Sequence, residues 1–285
     1  MSLTGQNPCT ATFAGSCGFI GMTRALPTLG LLALLPLLQA GELTPLWLVP
    51  DQKIFADDFS QARELKALPA KSPAVGDWNP NQGTRWKIVD GVLRGEASSA
   101  EYQAAHETHK GVHPRIVLTR TPAEYVLKFS MRLVDGKPFV ADQRRSIPPF
   151  IEIGHHIARV TWGVNGAMLL ADGDTLQLDA APSFGPKVGS WLTVLVERRA
   201  DEVCVQFQDG PTFHGKHPSY RSDLHAVMLG GLEAGHLEID DVTVWSVKSG
   251  EQPGWAAWLQ QHPAPKEVRL REAKASAEPA PAAKK

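Results

Sequence analysis

From about residue 53 to residue 247 the chain alternates apolar and polar positions in short runs broken by turn residues. In residues 125–133, Tyr125, Leu127, Phe129, Met131 and Leu133 fall on one side of an extended chain, and Val126, Lys128, Ser130 and Arg132 on the other. Strand side chains point alternately to opposite faces, so this run predicts a half-buried antiparallel strand. Val203, Val205 and Phe207 repeat the pattern against Cys204 and Gln206. Further strands are expected at 53–59, 115–119, 150–153, 157–163, 167–171, 175–178, 191–197, 225–229 and 236–247. Residues 86–95 read as a hairpin, because Asp90-Gly91 supplies two positions that accept positive φ. Many short strands with little helix between them predict an all-β, two-sheet antiparallel jelly-roll sandwich.

Two short helices interrupt the pattern. One is expected within 98–110, where Ser98 and Glu101 have capping-box spacing and Gly111 and Pro114 stop it. The other covers 253–261, with Trp255, Trp258 and Leu259 on one stripe that packs on the sandwich. From residue 263 the chain is rich in Ala, Pro, Lys and Glu and reads as a disordered tail.

The amino-terminal 40 residues read differently. Residues 22–40 carry one positive charge, Arg24, then an apolar run, then Ala40 before Gly41, the layout of a secretory signal peptide. Pro27 and Pro36 break the run, which is too short for a stable membrane span. The segment before Met22 lacks charge, which points to Met22 as the true start. The expected organisation is a leader over 1–40, a jelly-roll domain over 41–250, a helix over 251–262 and the tail over 263–285. Cleavage near Ala40 places the product outside the cytoplasm, secreted or periplasmic.

Cleavage also removes Cys9 and Cys17, leaves Cys204 alone, and so excludes a disulfide framework within the mature chain. With 29 basic and 30 acidic residues interspersed, the chain shows no stripe suited to nucleic acid. A neutral sugar suits such a surface better than a polyanion does.

Four stretches carry a resemblance. Phe55-Ala-Asp-Asp-Phe59, Trp86-Lys-Ile-Val-Asp-Gly-Val-Leu, residues 125–133 and Asp240-Asp-Val-Thr-Val-Trp245 together resemble the concanavalin A-like, glycoside-hydrolase-16-like domains of the 3-keto-disaccharide hydrolase family of secreted bacterial proteins. The resemblance covers roughly residues 53–247. It implies a jelly roll, export and work on glycosides, as an enzyme or as a non-catalytic carbohydrate-binding or cell-surface module. Such folds can hold a structural calcium ion, but no compact Asp-rich loop marks one, and no cofactor is expected.

The chemistry rests on a few residues. Retaining glycosidases flank the scissile bond with two carboxylates, and a strand motif can supply both. Glu238-Ile-Asp240-Asp-Val-Thr243 begins such a motif but lacks its second glutamate, so it reads as structural. His106, His109 and His113 have helical spacing for a metal, yet Gly111 and Pro114 break that helix. The resemblance points instead to His113, to Gly154-His-His-Ile-Ala-Arg159-Val, and to His217-Pro218. His156 matches the family histidine by its spacing from Arg159. On a regular strand, however, His155 and not His156 shares the side of Arg159, unless the Gly154 turn breaks the alternation. Histidine supplies acid–base chemistry at neutral pH, arginine clamps an oxygen, and Glu152 is placed to act as a base. His113, Glu152, His156, Arg159 and His217 are the candidate catalytic set. Trp78, Trp86, Trp162 and Trp191 are alternative sugar platforms, read mainly as core.

Overall fold

A computed structural model describes residues 42–65, 77–134, 149–154, 158–163, 166–185, 187–221, 225–231 and 235–270. The leader expected over 1–40 lies outside them. The strands are β1 (Leu48–Asp57), β2 (Trp78–Pro80), β3 (Arg85–Val89), β4 (Val92–Glu96), β5 (Arg115–Thr119), β6 (Tyr125–Val134), β7 (Phe150–Ile153) and β8 (Ala158–Gly163). They continue with β9 (Gly166–Ala171), β10 (Leu176–Ala181), β11 (Leu192–Arg199), β12 (Glu202–Phe207), β13 (Thr212–Lys216), β14 (Ala226–Gly230), β15 (His236–Glu251) and β16 (Val268–Arg269). Helix α1 spans Ala100–Ala105 and α2 spans Trp255–Gln261.

These strands form two antiparallel sheets packed face to face as a β-sandwich. The first sheet runs β13-β12-β11-β6-β15-β4-β3, with β1 also paired to β15. The second runs β16-β10-β9-β8-β7-β14-β5-β2. Strand β15 holds the first sheet together. Its early residues lie between β4 and β6, and its later ones between β1 and β6. The register slips between Asp240 and Thr243, where Asp241 adopts a positive φ of 51°. That is the signature of a bulge, and it redirects the strand toward β1.

One core fills the space between the sheets. The odd-numbered face of β6 meets Ile151, Val160, Trp162 and Leu229 of the second sheet. Phe207 crosses the gap, its ring edge-on to Trp162 at 5.5 Å. The predicted hairpin is β3–β4, with φ of 52° at Asp90 and 76° at Gly91. At its far end Trp86 lies flat over Gly95, where any added Cβ would collide with the indole.

A second apolar cluster lies on the outside of the first sheet. Val126, Leu195 and Cys204 are roofed there by Trp47, Leu48 and Trp255. Trp47 stacks on Trp255 at 5.6 Å, and Trp255 on Trp258 at 5.1 Å. The Glu197 carboxylate accepts the backbone N–H groups of Leu46, Trp47 and Leu48 at 2.9, 3.0 and 2.6 Å. One buried side chain thus ties down the strap that leads into β1. Helix α2 contributes Trp255 to this cluster, with Trp258 and Leu259 packed against it.

Three expectations need correction. Ser99, not Ser98, caps α1: its hydroxyl accepts from Tyr102 N at 3.2 Å, while Ser98 Oγ donates to the Lys110 carbonyl instead. The structure adds strands β2 and β13 to those the alternation predicts. Val268–Arg269, placed in the disordered tail, pairs with Gln177 and Leu176 as β16. Residues 271–285 lie outside the described residues.

Candidate functional site

The polar residues of interest gather on the outer face of the second sheet. Alternation sends Ile151 and Ile153 of β7 into the core, so Phe150 and Glu152 face away from it. Arg115, Gly230, Phe150 and Thr161 lie opposite one another across β5, β14, β7 and β8. In the next row Met228, Glu152 and Arg159 stand side by side. Gly230 makes room at the centre, since a Cβ there would lie 3.0 Å from the Phe150 ring and 3.2 Å from Arg115 Cγ.

Phe150 sits between two guanidinium groups. Arg159 Cζ lies 5.0 Å and Arg115 Cζ 5.5 Å from its ring centroid, both within cation–π range. The His113 ring meets Phe150 edge-on at 6.3 Å. Arg115 Nε donates to His113 Nε2 at 2.5 Å. A guanidinium only donates, so Nε2 accepts and the imidazole proton of a neutral His113 sits on Nδ1. Burial, then the charges of Arg115 and Arg159, hold the His113 pKa down to about 3. His113 is therefore neutral across physiological pH.

Arg159 is bound on both sides. Its Nη2 is 2.6 Å from Glu152 Oε2 and its Nη1 2.5 Å from Asp174 Oδ2. Glu152 is fully buried, and this contact compensates its charge. Arg159 Nε is buried without a hydrogen-bond partner among the described residues. Burial lowers the pKa of Arg115, and the Glu152 charge opposes that shift.

Of the five residues expected from sequence, His113, Glu152 and Arg159 come together around Phe150. His217 sits elsewhere. It caps the 3-10 turn Pro218–Tyr220, with Nδ1 2.7 Å from Ser219 Oγ, and its ring meets Tyr220 edge-on. No bond or ring contact among the described residues joins it to the other three. His156 lies outside the described residues. Arg115, Phe150 and Asp174 were not anticipated. Arg115 was legible, because it stands two residues after His113 in an extended run. Asp174 reaches Arg159 from the β9–β10 turn, a contact that only the folded sheet reveals.

The other candidates resolve simply. The His106 ring stacks on Tyr102 at 3.9 Å, His109 is exposed and His113 is buried, so no common metal face forms. Among the described residues no group of His, Cys, Asp and Glu is placed to hold a metal ion. Trp78, Trp86 and Trp162 are buried, whereas Trp191 is 39% exposed. Glu238, which opens the incomplete carboxylate motif, is buried between Arg94 and Arg132 on the first sheet. No helix among the described residues is long and apolar enough to cross a membrane.

No family model matches the sequence, and no curated protein matches it. Solved structures resemble the chain at a distance. The cellulose-induced protein Cip1 is 15% identical, with 69% of this chain and 99% of that one covered at a TM-score of 0.44. A non-specific endo-β-1,3(4)-glucanase of family GH16 is 11% identical, covering 74% and 98% at 0.44. The carbohydrate-binding module CBM66 from Bacillus subtilis is 10% identical, covering 63% and 98% at 0.36.

Proposed function

We propose that the chain is an exported carbohydrate-active protein that works through the outer face of its second sheet, and that its reaction is cleavage of a 3-keto-glycoside. The observation that carries this reading is the convergence of His113, Arg115, Glu152 and Arg159 around Phe150. A 3-ketone acidifies the adjacent C–H, so the bond can be broken without a pair of glycosidase carboxylates. The proton on the carbon between the ketone and the anomeric centre passes to Glu152, and the electron pair moves onto the ketone oxygen. Its return expels the aglycone oxygen, which leaves as an alcohol on protonation. Arg115 and the Nδ1–H of neutral His113 supply donors for the enolate oxygen, the part an oxyanion hole plays in acyl transfer. A neutral histidine suits this task, since it donates without adding another buried charge.

The test incubates the protein with 3-keto-glycosides and with the parent glycosides. Turnover of the keto forms alone is expected, and Glu152→Gln should lower kcat by about 10²-fold or more, the usual scale for losing a general base. A second reading, a binding module without turnover, draws on the pairing of Glu152 with Arg159 and of His113 with Arg115. Saturable binding of sugars with no cleavage of any of them would establish it and overturn the enzymatic reading.

A further inference from the structure

A different row of side chains crosses the outside of the first sheet. Trp191 immediately precedes β11, whose Leu192 pairs with Met131, so Trp191 stands beside Arg132 of β6. Arg132 pairs with Glu238 of β15, Glu238 with Arg94 of β4, and Arg94 with Lys87 of β3. All five belong to the outward face. At about 4.8 Å per strand the row extends roughly 19 Å.

Its parts are fixed in a particular way. Glu238 Oε1 accepts Arg94 Nε at 2.8 Å, and Oε2 accepts Arg132 Nε. The carboxylate is fully buried, while the Arg94 and Arg132 side chains keep 27% and 32% of their exposure. Each guanidinium thus gives an inner edge to Glu238. Both terminal amino groups of Arg132, and Nη1 of Arg94, have no protein partner among the described residues. Arg132 Cζ also lies 4.6 Å from the Trp191 ring. The arginine fork is held on two sides before any ligand arrives, so little side-chain freedom remains to be lost on binding.

We propose that this row is a binding site for an acidic saccharide, a chain bearing uronic-acid carboxylates. The Arg132 fork matches a planar carboxylate, and Trp191 offers a ring face beside it for a pyranose. Lys87, Arg94 and Arg132 against Glu238 leave two positive charges along the row, a local excess hidden within a chain of net charge −1. Nucleic acid fits less well, because a fixed carboxylate interrupts the row where a phosphate backbone needs unbroken positive charge. The site lies on the sheet opposite the His113 cluster, and its ligand need not be the substrate cleaved there.

Affinity electrophoresis of the whole protein tests it, in gels containing polygalacturonate, a neutral β-glucan or single-stranded DNA. Retardation by polygalacturonate alone is expected, weakening as salt is added. Arg132→Gln and Trp191→Ala should each weaken it by about tenfold, the scale of one charge-assisted contact. Trp191 is well exposed, so its variant should keep the parent melting temperature and supports the result should Arg132→Gln misfold. Absence of retardation by polygalacturonate, equal retardation by the glucan or by DNA, or undiminished retardation of a folded Trp191→Ala protein would overturn the proposal.

Discussion

His113 shows how one buried residue couples the site to the stability of the whole fold. An ordinary histidine takes up its proton near 6.5, whereas His113 resists until about 3. Between those values the unfolded chain binds a proton that the folded chain does not. Stability therefore falls as pH drops from about 6.5 toward 3, by up to about 1.4 kcal/mol per pH unit, and this residue adds no slope above 6.5. His113→Gln removes the titrating group, so urea unfolding followed against pH should show a shallower acid limb than the parent. An unchanged limb would mean that His113 is hydrated and titrates normally. Arg115 matters at the same scale, because its Nε proton fixes which nitrogen of His113 stays free to donate.

At the scale of elements, the strap before β1 makes the sharpest case. Three backbone N–H groups rest on Glu197, and the strap brings Trp47 onto Trp255 of α2. Glu197→Ala leaves those donors without an acceptor and should cost about 3 kcal/mol or more. The urea midpoint should fall, and tryptophan emission should shift red as Trp47 and Trp255 meet water. Nothing in residues 43–48 announces this anchor, because its acceptor lies about 150 positions away. The strands that the pattern reading recovered, β6, β12 and the β3–β4 hairpin among them, bury one face and so print their period on the sequence. Two of those it missed, β2 and β16, are defined by backbone pairing. β2 is three residues ending in Pro80, and β16 is two exposed residues on β10. β15 runs on to Glu251 through polar residues because β1 supplies its partner there. The site divides in the same way. His113, Glu152 and Arg159 could be named from sequence, but the Asp174 contact and the cation–π pair on Phe150 depend on which strands become neighbours.

For the whole molecule, the segment read as a leader ends in sequence just before the strap. The expected cleavage after Ala40 falls two residues before Glu42, whose Oε1 lies 2.8 Å from Lys128 Nζ. Edman sequencing of the exported protein should begin at Gly41 and report no residue from 1–40. A product still starting at Met1 or Met22 would contradict export through this leader. Cys204, the only cysteine among the described residues, is free and buried, and burial raises its thiol pKa well above the usual range. Reducing agents should accordingly leave the protein's melting temperature unchanged.

The position of β15 governs when folding can happen. A long strand made after β1, β4 and β6 is also the one that all three need as a neighbour. A nascent polypeptide lacking residues 236–251 has two half-sheets with nothing to bridge them, and joining ends so far apart in sequence is slow. Synthesis must pass through β15 before a stable tertiary structure exists, so until then the emerging chain stays an unfolded thread.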